Sequence, residues 1–274
     1  MGDGGHVTPG ALDASAGRAQ KNFPLHRVVF AANARVELHW FAEAGLEAIW
    51  CNHNAHVNDR IFQPAPGARA GDEREFEAIY DARFARFKRN HLAAKVAKLA
   101  LIHYTTPALV EALWEIKTRW ILSHARILNR HRFWFWPIWL GKPEVARSYN
   151  RARVGLCLSR AEGAMLASIQ YLLCGLPVVS TPNRGGRDDF FDDENSIEVA
   201  AEPEAVAAGV QTLIERRVDP WTIREKTLMR MAEHRARLVA LVEEFQRAHG
   251  VTGDRLLSRA EPLRMRNGFS DKLG

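Results

Sequence analysis

The chain has 274 residues, 47% of them hydrophobic and 26% charged, an ordinary balance for a soluble globular protein. No apolar run approaches the roughly 18 to 20 residues that cross a bilayer, and the opening MGDGGHVTPGALDASAG lacks the basic start and apolar core of a secretory signal. A net charge of +6 admits nucleic acid, anionic lipid or phosphorylated ligands, but the basic residues are scattered, so charge does not choose among them.

Cys51, Cys157 and Cys174 are an odd number without metal-type spacing, which reads as reduced, buried thiols in a cytoplasmic protein. Two apparent metal signals are discounted. Cys51-x-His53-x2-His56 lacks a fourth ligand, and the acidic run from Asp188 to Asp193 reads as a solvated helix start.

In chain order, residues 1–25 read as a disordered tail. Residues 26–66 give a strand at 28–31, a helix at 34–44 stopped by Gly45, and a strand at 47–51. Residues 67–75 belong to a Pro/Gly-rich linker. Residues 76–217 form the main unit, beginning with a strand at 76–80 and a basic loop. A helix is expected through Leu99, then a strand at 99–104, a helix at 107–117 and a strand at 120–128.

The run RFWFWPIWL at 132–140 has three readings: a Trp-rich core strand ended by Pro137, a ring that stacks on a ligand base, or a membrane- or partner-binding loop. Residues 142–152 read as an amphipathic helix with Val145, Tyr149 and Ala152 on one face. The unit closes with a strand at 196–200 and a helix at 202–216. Residues 218–250 read as one or two further helices, and 251–274 as a mobile tail.

The most informative stretch is 154–189, VGLCLSRAEGAMLASIQYLLCGLPVVSTPNRGGRDD. It runs apolar strand, polar elbow, helix, Gly175, apolar strand and a Gly185-Gly186 turn, the βαβ grammar of an open α/β sheet. The elbow lies where such sheets bind ligands, at a strand's carboxyl end and the next helix's amino end. Gly163 lets backbone approach a ligand. The N–H groups of Ala164, Met165 and Leu166 would face an anion there.

Ser159, Glu162-Gly163, Gly175-x-Pro177-Val178-Val179 and Gly185-Gly186 resemble the donor-binding signature of retaining family 4 glycosyltransferases of the GT-B fold. That signature reads S-x-x-E-G, a second Glu eight residues after the first, G-x-P-V-V and G-G-x-x-E. Gln170 stands at the second Glu position and Asp189 at the last acidic one. Upstream, Arg83 and Lys88 keep the spacing of the family's G-R-L-x-x-x-K-G loop, with Ala82 at its glycine. The resemblance covers residues 76–214 and extends loosely to the end of an N-terminal domain at Phe62-Gln63-Pro64.

The resemblance implies an α/β protein: a Rossmann-like parallel sheet with helices on both faces, one GT-B half. An N-terminal βαβ remnant precedes it, with most of the acceptor domain missing, and C-terminal helices follow. It implies that Glu162 contacts the transferred sugar, that Arg83 and Lys88 hold the donor diphosphate, and that Gln170 faces the ribose about 12 Å along the helix from Glu162. Gly185 and Gly186 would allow close approach, with Asp189 supporting their loop or the sugar. Arg187 is read as pairing with Asp188 or Asp192 on the surface. The 132–140 region would approach the nucleotide base.

The implied function is retaining transfer of a sugar from a UDP-, GDP- or ADP-linked donor to an unidentified saccharide or lipid-linked acceptor, as in bacterial glycan assembly. No metal or further cofactor is required, and no nucleic acid is expected. The alternative is a non-catalytic or truncated donor domain that holds a nucleotide sugar or a partner. A protein partner or self-association would cover the apolar face of the N-terminal remnant. The expected location is cytoplasmic, free or peripheral at the inner face of the membrane.

Overall fold

The computed structural model describes residues 21–22, 26–104, 109–130 and 137–250. Residues 251–274 of the C-terminal tail, all of the expected N-terminal tail but 21–22, and residues 131–136 of the Trp-rich run lie outside the described residues.

Two parallel sheets carry the architecture. The smaller pairs β1 (Phe30–Ala32) with β2 (Ala48–Trp50) around helix α1 (Arg35–Glu43). The larger holds β3 (Phe76–Asp81), β4 (Leu99–Ile102), β5 (Arg126–Ile127), β6 (Ala152–Cys157), β7 (Val178–Ser180) and β8 (Ser196–Glu198). Its order is β5-β4-β3-β6-β7-β8, parallel throughout. The remaining helices are α2 (Leu109–Ile121), α3 (Lys142–Tyr149), α4 (Leu166–Leu173), α5 (Pro203–Arg216) and α6 (Pro220–Ala248).

A parallel sheet is covered on both faces, so its central strands are apolar without alternation. All four residues of β4 are buried, as are Ala78, Ile79 and Tyr80 of β3. The pleat assigns the layers. Gly155 pairs with Val178, and the Tyr171 ring of α4 packs directly over Gly155. Val179 points the opposite way and meets Gly209 of α5. Helices α4 and α5 therefore lie on opposite faces. A β-carbon at Gly155 would drive into the Tyr171 ring. Gly155→Ala is expected to cost about 1–3 kcal/mol by overpacking, read as a lower urea midpoint at unchanged slope.

Three expected elements differ. No α-helix runs through Leu99: residues 86–88 and 90–93 form two 3₁₀ turns separated by Arg89 at φ 50°. Tertiary bonds override helix propensity there. Tyr80 donates to the Lys88 carbonyl (2.5 Å), and Arg89 reaches the Leu158 carbonyl (2.6 Å) and the Thr181 hydroxyl (2.8 Å). The strand expected at 120–128 shrinks to Arg126–Ile127, because α2 continues to Ile121. Buried Thr118 and Leu122 sit four apart, while Trp120 is 80% exposed. Ala152 opens β6 rather than ending α3.

Helix α6 is single and folds back along the chain. Arg224 donates to the carbonyls of Leu173 and Asp59 (2.9 and 2.7 Å) and Arg235 to that of Ala55 (2.7 Å), which ties residues 55–62 to the main unit. Trp50 of β2 lies between the guanidinium groups of Arg35 and Arg237 and edge-on to His234. The N-terminal unit thus finds part of its cover in α6 of its own chain, where an external surface was expected.

Candidate functional site

The strand order reverses between β3 and β6. The chain runs outward from β3 through β4 to β5, then returns to lay β6 on β3's other side. Ligands of open sheets bind in the crevice at the carboxyl ends of such a pair. A cleft of ≈ 570 Å³ occupies that position, bounded by the segment after β3, the elbow after β6 and the first turn of α4. Its volume is ordinary for a small-molecule site.

Of the residues expected at the site, Arg83, Lys88, Glu162, Ala164, Met165, Leu166 and Gln170 line this cleft. The structure brings together residues up to 87 positions apart, from Arg83 to Gln170. Lys88 and Glu162 form an ion pair in which both residues are more than nine-tenths buried. Lys88 occupies Oε1 of the carboxylate. Oε2 is buried and has no hydrogen-bond partner among the described residues. A buried acceptor of this kind needs a donor, and a ligand hydroxyl entering the cleft would supply one. Arg83 sits over the Phe87 ring at 5.2 Å.

Helix α4 begins later than expected. Met165 is its extended N-cap and Leu166 its first residue, so Glu162 lies three residues before the cap. Ser168 N–H already bonds to the Met165 carbonyl (3.0 Å), which leaves Leu166 and Ala167 as first-turn N–H groups beside the cleft.

Gly163, Gly185, Gly186 and Asp189 do not line the cleft. Gly185 backs it: at φ 120° it lies against the Glu162 carbonyl, where a β-carbon would collide. The Glu162 N–H bonds to the Arg184 carbonyl (3.0 Å), so the glycine turn holds Glu162 in place. Asp189 faces α6, with His234 Nε2 3.0 Å from its carboxylate. His234 Nδ1 accepts from the Asn52 N–H (3.2 Å), and Asn52 Nδ2 donates to the Gly186 carbonyl (2.8 Å). The N-terminal unit, α6 and the glycine turn are thereby joined.

Arg187 corrects the expectation of a surface pair. Its side chain is fully buried. It donates to the carbonyls of Ser159 and Thr181 (2.8 Å each), to Ser180 Oγ (2.6 Å) and to Asp188 (2.7 Å). Burial, the largest single influence, opposes its charge, but Asp188, Cys157 and Tyr80 together raise its pKa above the usual arginine value. Arg187 is the tie between the loops after β6 and β7.

Sequence reasoning missed two charged cleft residues. Lys142 adds a cation from the first position of α3. Asp81, at the carboxyl end of β3, lines the cleft, and its Oδ2 accepts from Tyr149 of α3 at 2.6 Å. The same phenol lies 3.1 Å from Gln170 Oε1, and the Asp81 N–H donates to the Tyr171 hydroxyl (2.7 Å). Desolvation raises the Asp81 carboxyl to about 6, against smaller lowering effects from Tyr149 and Lys88. The available signal was a carboxylate directly ahead of the Ala82-Arg83 loop, at a strand end.

Among the described residues, no helix is long and apolar enough to cross a membrane. No curated protein matches the chain in sequence. Residues 122–216 match the family model of glycosyl transferases group 1. Among solved structures, a sucrose-phosphate synthase from Thermosynechococcus elongatus aligns at TM-score 0.58 and 19% identity, over 82% of this chain and 59% of its own. HepE of Anabaena in complex with UDP aligns at TM-score 0.58 and 14% identity, over 84% and 64%. A glycosyltransferase from Rickettsia africae aligns at TM-score 0.61 and 11% identity, over 90% and 69%. The chain therefore spans less than two thirds of the first two of these neighbours. The Rossmann-like fold is that of one GT-B half, and within it residues 122–216 carry the glycosyl transferases group 1 match.

Proposed function

We propose that the cleft between β3 and β6 binds a nucleotide-diphosphate sugar and that the chain is the donor half of a retaining glycosyltransferase. The observation that carries this reading is the convergence of Arg83, Lys88, Glu162 and the α4 amino end on one switch-point cleft. As the glycosidic bond breaks, the leaving diphosphate gains negative charge. Arg83, Lys88 and the α4 N–H groups would stabilise that charge where it develops. The free Oε2 of Glu162 would accept a hydroxyl of the transferred sugar. On the retaining route the departing diphosphate takes the acceptor's proton on the same face. HepE, which the fold resembles, is described in complex with UDP and with UDP-glucose, which favours a uridine donor among the three candidates.

The acceptor, a saccharide or lipid-linked saccharide, would enter opposite the sugar. A second reading, donor binding without turnover, is favoured by Gln170, a neutral amide in the cleft where the signature it resembles has a carboxylate. Both readings share one test. Calorimetric titration with UDP, GDP and ADP and their sugars, without added metal, should give saturable binding of one nucleotide. The Arg83→Ala, Lys88→Ala double variant should bind it at least about tenfold more weakly, since two charge-assisted contacts are lost. A folded wild-type sample that binds none of them would overturn the donor-site reading. Transfer or hydrolysis of the bound sugar separates enzyme from holder.

A further inference from the structure

A carboxylate suited to the vicinal hydroxyls of a ribose is expected on α4, eight residues after Glu162, where this chain has the amide of Gln170. The amide sits beside the Tyr149 hydroxyl, its Oε1 3.1 Å away, and as a neutral acceptor it holds hydroxyls more weakly than a carboxylate. Across the same phenol, on β3, stands a carboxylate that the sequence pattern does not assign. Asp81 Oδ2 takes the Tyr149 proton at 2.6 Å, the shorter of the two contacts, so the single phenol proton belongs to Asp81. Among the described residues Oδ1 receives no hydrogen bond, and the residue lines the cleft.

We propose that Asp81, oriented by Tyr149, is the carboxylate that recognises the ribose hydroxyls of the nucleotide, having taken over on strand β3 the role that the neutral amide of Gln170 fills only weakly on helix α4. The inference rests on the nucleotide-sugar reading of the cleft and names which residue sets its preference for a ribose.

The chemistry favours the carboxylate over the amide. An ionised acceptor makes shorter and stronger hydrogen bonds to hydroxyls than a neutral one, and Oδ1 and Oδ2 together offer lone pairs for two donors. The groups facing Asp81 come from four segments: Lys88 from the 3₁₀ turn after β3, Tyr104 just past β4, Tyr149 from α3 and Tyr171 from α4. None of the three phenols supplies a positive charge. Lys88 exerts only a minor lowering effect and is paired with Glu162. A carboxylate without its own cation, open to the cleft on one oxygen, is held in reserve for a ligand's hydroxyls rather than consumed by the fold.

The test compares UDP with its 2′,3′-dideoxy analogue, which keeps the base and both phosphates. Wild-type protein at pH 7.5 is expected to bind UDP about tenfold more tightly than the analogue. Asp81→Asn should bring the ratio to within about twofold by weakening UDP alone, whereas Gln170→Ala should leave most of it. A second measurement needs no variant. The wild-type ratio should fall as pH drops through about 6, where Asp81 takes up a proton; titration of the ligands' own phosphates affects both alike and cancels. An unchanged ratio in a folded Asp81→Asn sample, or its loss in Gln170→Ala, would overturn the proposal while leaving the donor-site reading intact. Failure of the wild type to bind either ligand, or any other nucleoside diphosphate, would overturn both.

Discussion

Arg187→Met is expected to destabilise the protein by about 3–5 kcal/mol, the range for removing one partner of a buried ion pair. Methionine approximates the volume, so the loss isolates charge and hydrogen bonding from packing. Four acceptors lose their donor together: the Ser159 and Thr181 carbonyls, Ser180 Oγ and Asp188. Ser180 Oγ, with its own hydroxyl proton, can turn to a new partner. The Thr181 carbonyl keeps only a long contact from Ser180 Oγ (3.4 Å), the Ser159 carbonyl loses the Arg187 donor outright, and a buried unpaired acceptor costs about 1–3 kcal/mol. Arg187→Lys keeps the charge but presents three donors from one point. It should serve Asp188 and at most one carbonyl, and fall between wild type and Arg187→Met. Urea denaturation read by two probes checks the order, and a loss below about 1 kcal/mol for Arg187→Met would refute the structural role given to this residue. The expectation reaches the site as well, because Ser159 and Thr181 lie on the loops that flank Glu162. Residual folded Arg187→Met should bind nucleotide weakly even where it is populated.

The stretch from β6 to the glycine turn was legible in the sequence for physical reasons. Parallel strands buried on both faces leave continuous apolar runs, and the helix between them ends where Gly175 adopts φ 72°. The grouping of Arg83, Lys88 and Glu162 was legible only through the family resemblance, because Arg-x4-Lys by itself reads as surface cations; all three follow the carboxyl ends of β3 and β6. What stayed hidden depends on tertiary contacts. The 86–98 segment is made of good helix formers, yet Arg89 leaves the helical region to reach Leu158 and Thr181 across the sheet. Arg187 reads as surface because it stands among acidic residues, and only the fold reveals the carbonyls that surround it. Asp81 was absorbed into a strand boundary. Its importance comes from Tyr149 and Gln170, 68 and 89 positions away in the chain and adjacent only once α3 and α4 are packed.

The second large effect is expected at Lys88. Lys88→Met should remove a cation from the diphosphate position and lower affinity for the best-binding nucleoside diphosphate by about 10- to 100-fold, the effect of losing a desolvated charge-assisted contact. It should also cost stability, because Glu162 would keep a buried carboxylate without its counter-charge. The cleft admits water to that pair, so the cost should be about 2–3 kcal/mol, below that of a fully enclosed pair. The two losses have different cures. Adding Glu162→Gln removes the uncompensated charge, so the double variant should recover most of the stability, with a coupling of 1 kcal/mol or more between the sites. It should recover none of the affinity, because glutamine supplies no cation. If the double variant instead binds nucleotide as wild type does, Lys88 serves only to neutralise Glu162 and the diphosphate rests on Arg83 and the α4 N–H groups. If neither single change alters binding, the ion pair is a structural feature of the cleft wall. Separate recovery of stability and affinity is the signature of a lysine that answers to the fold in the empty cleft and to the ligand in the filled one.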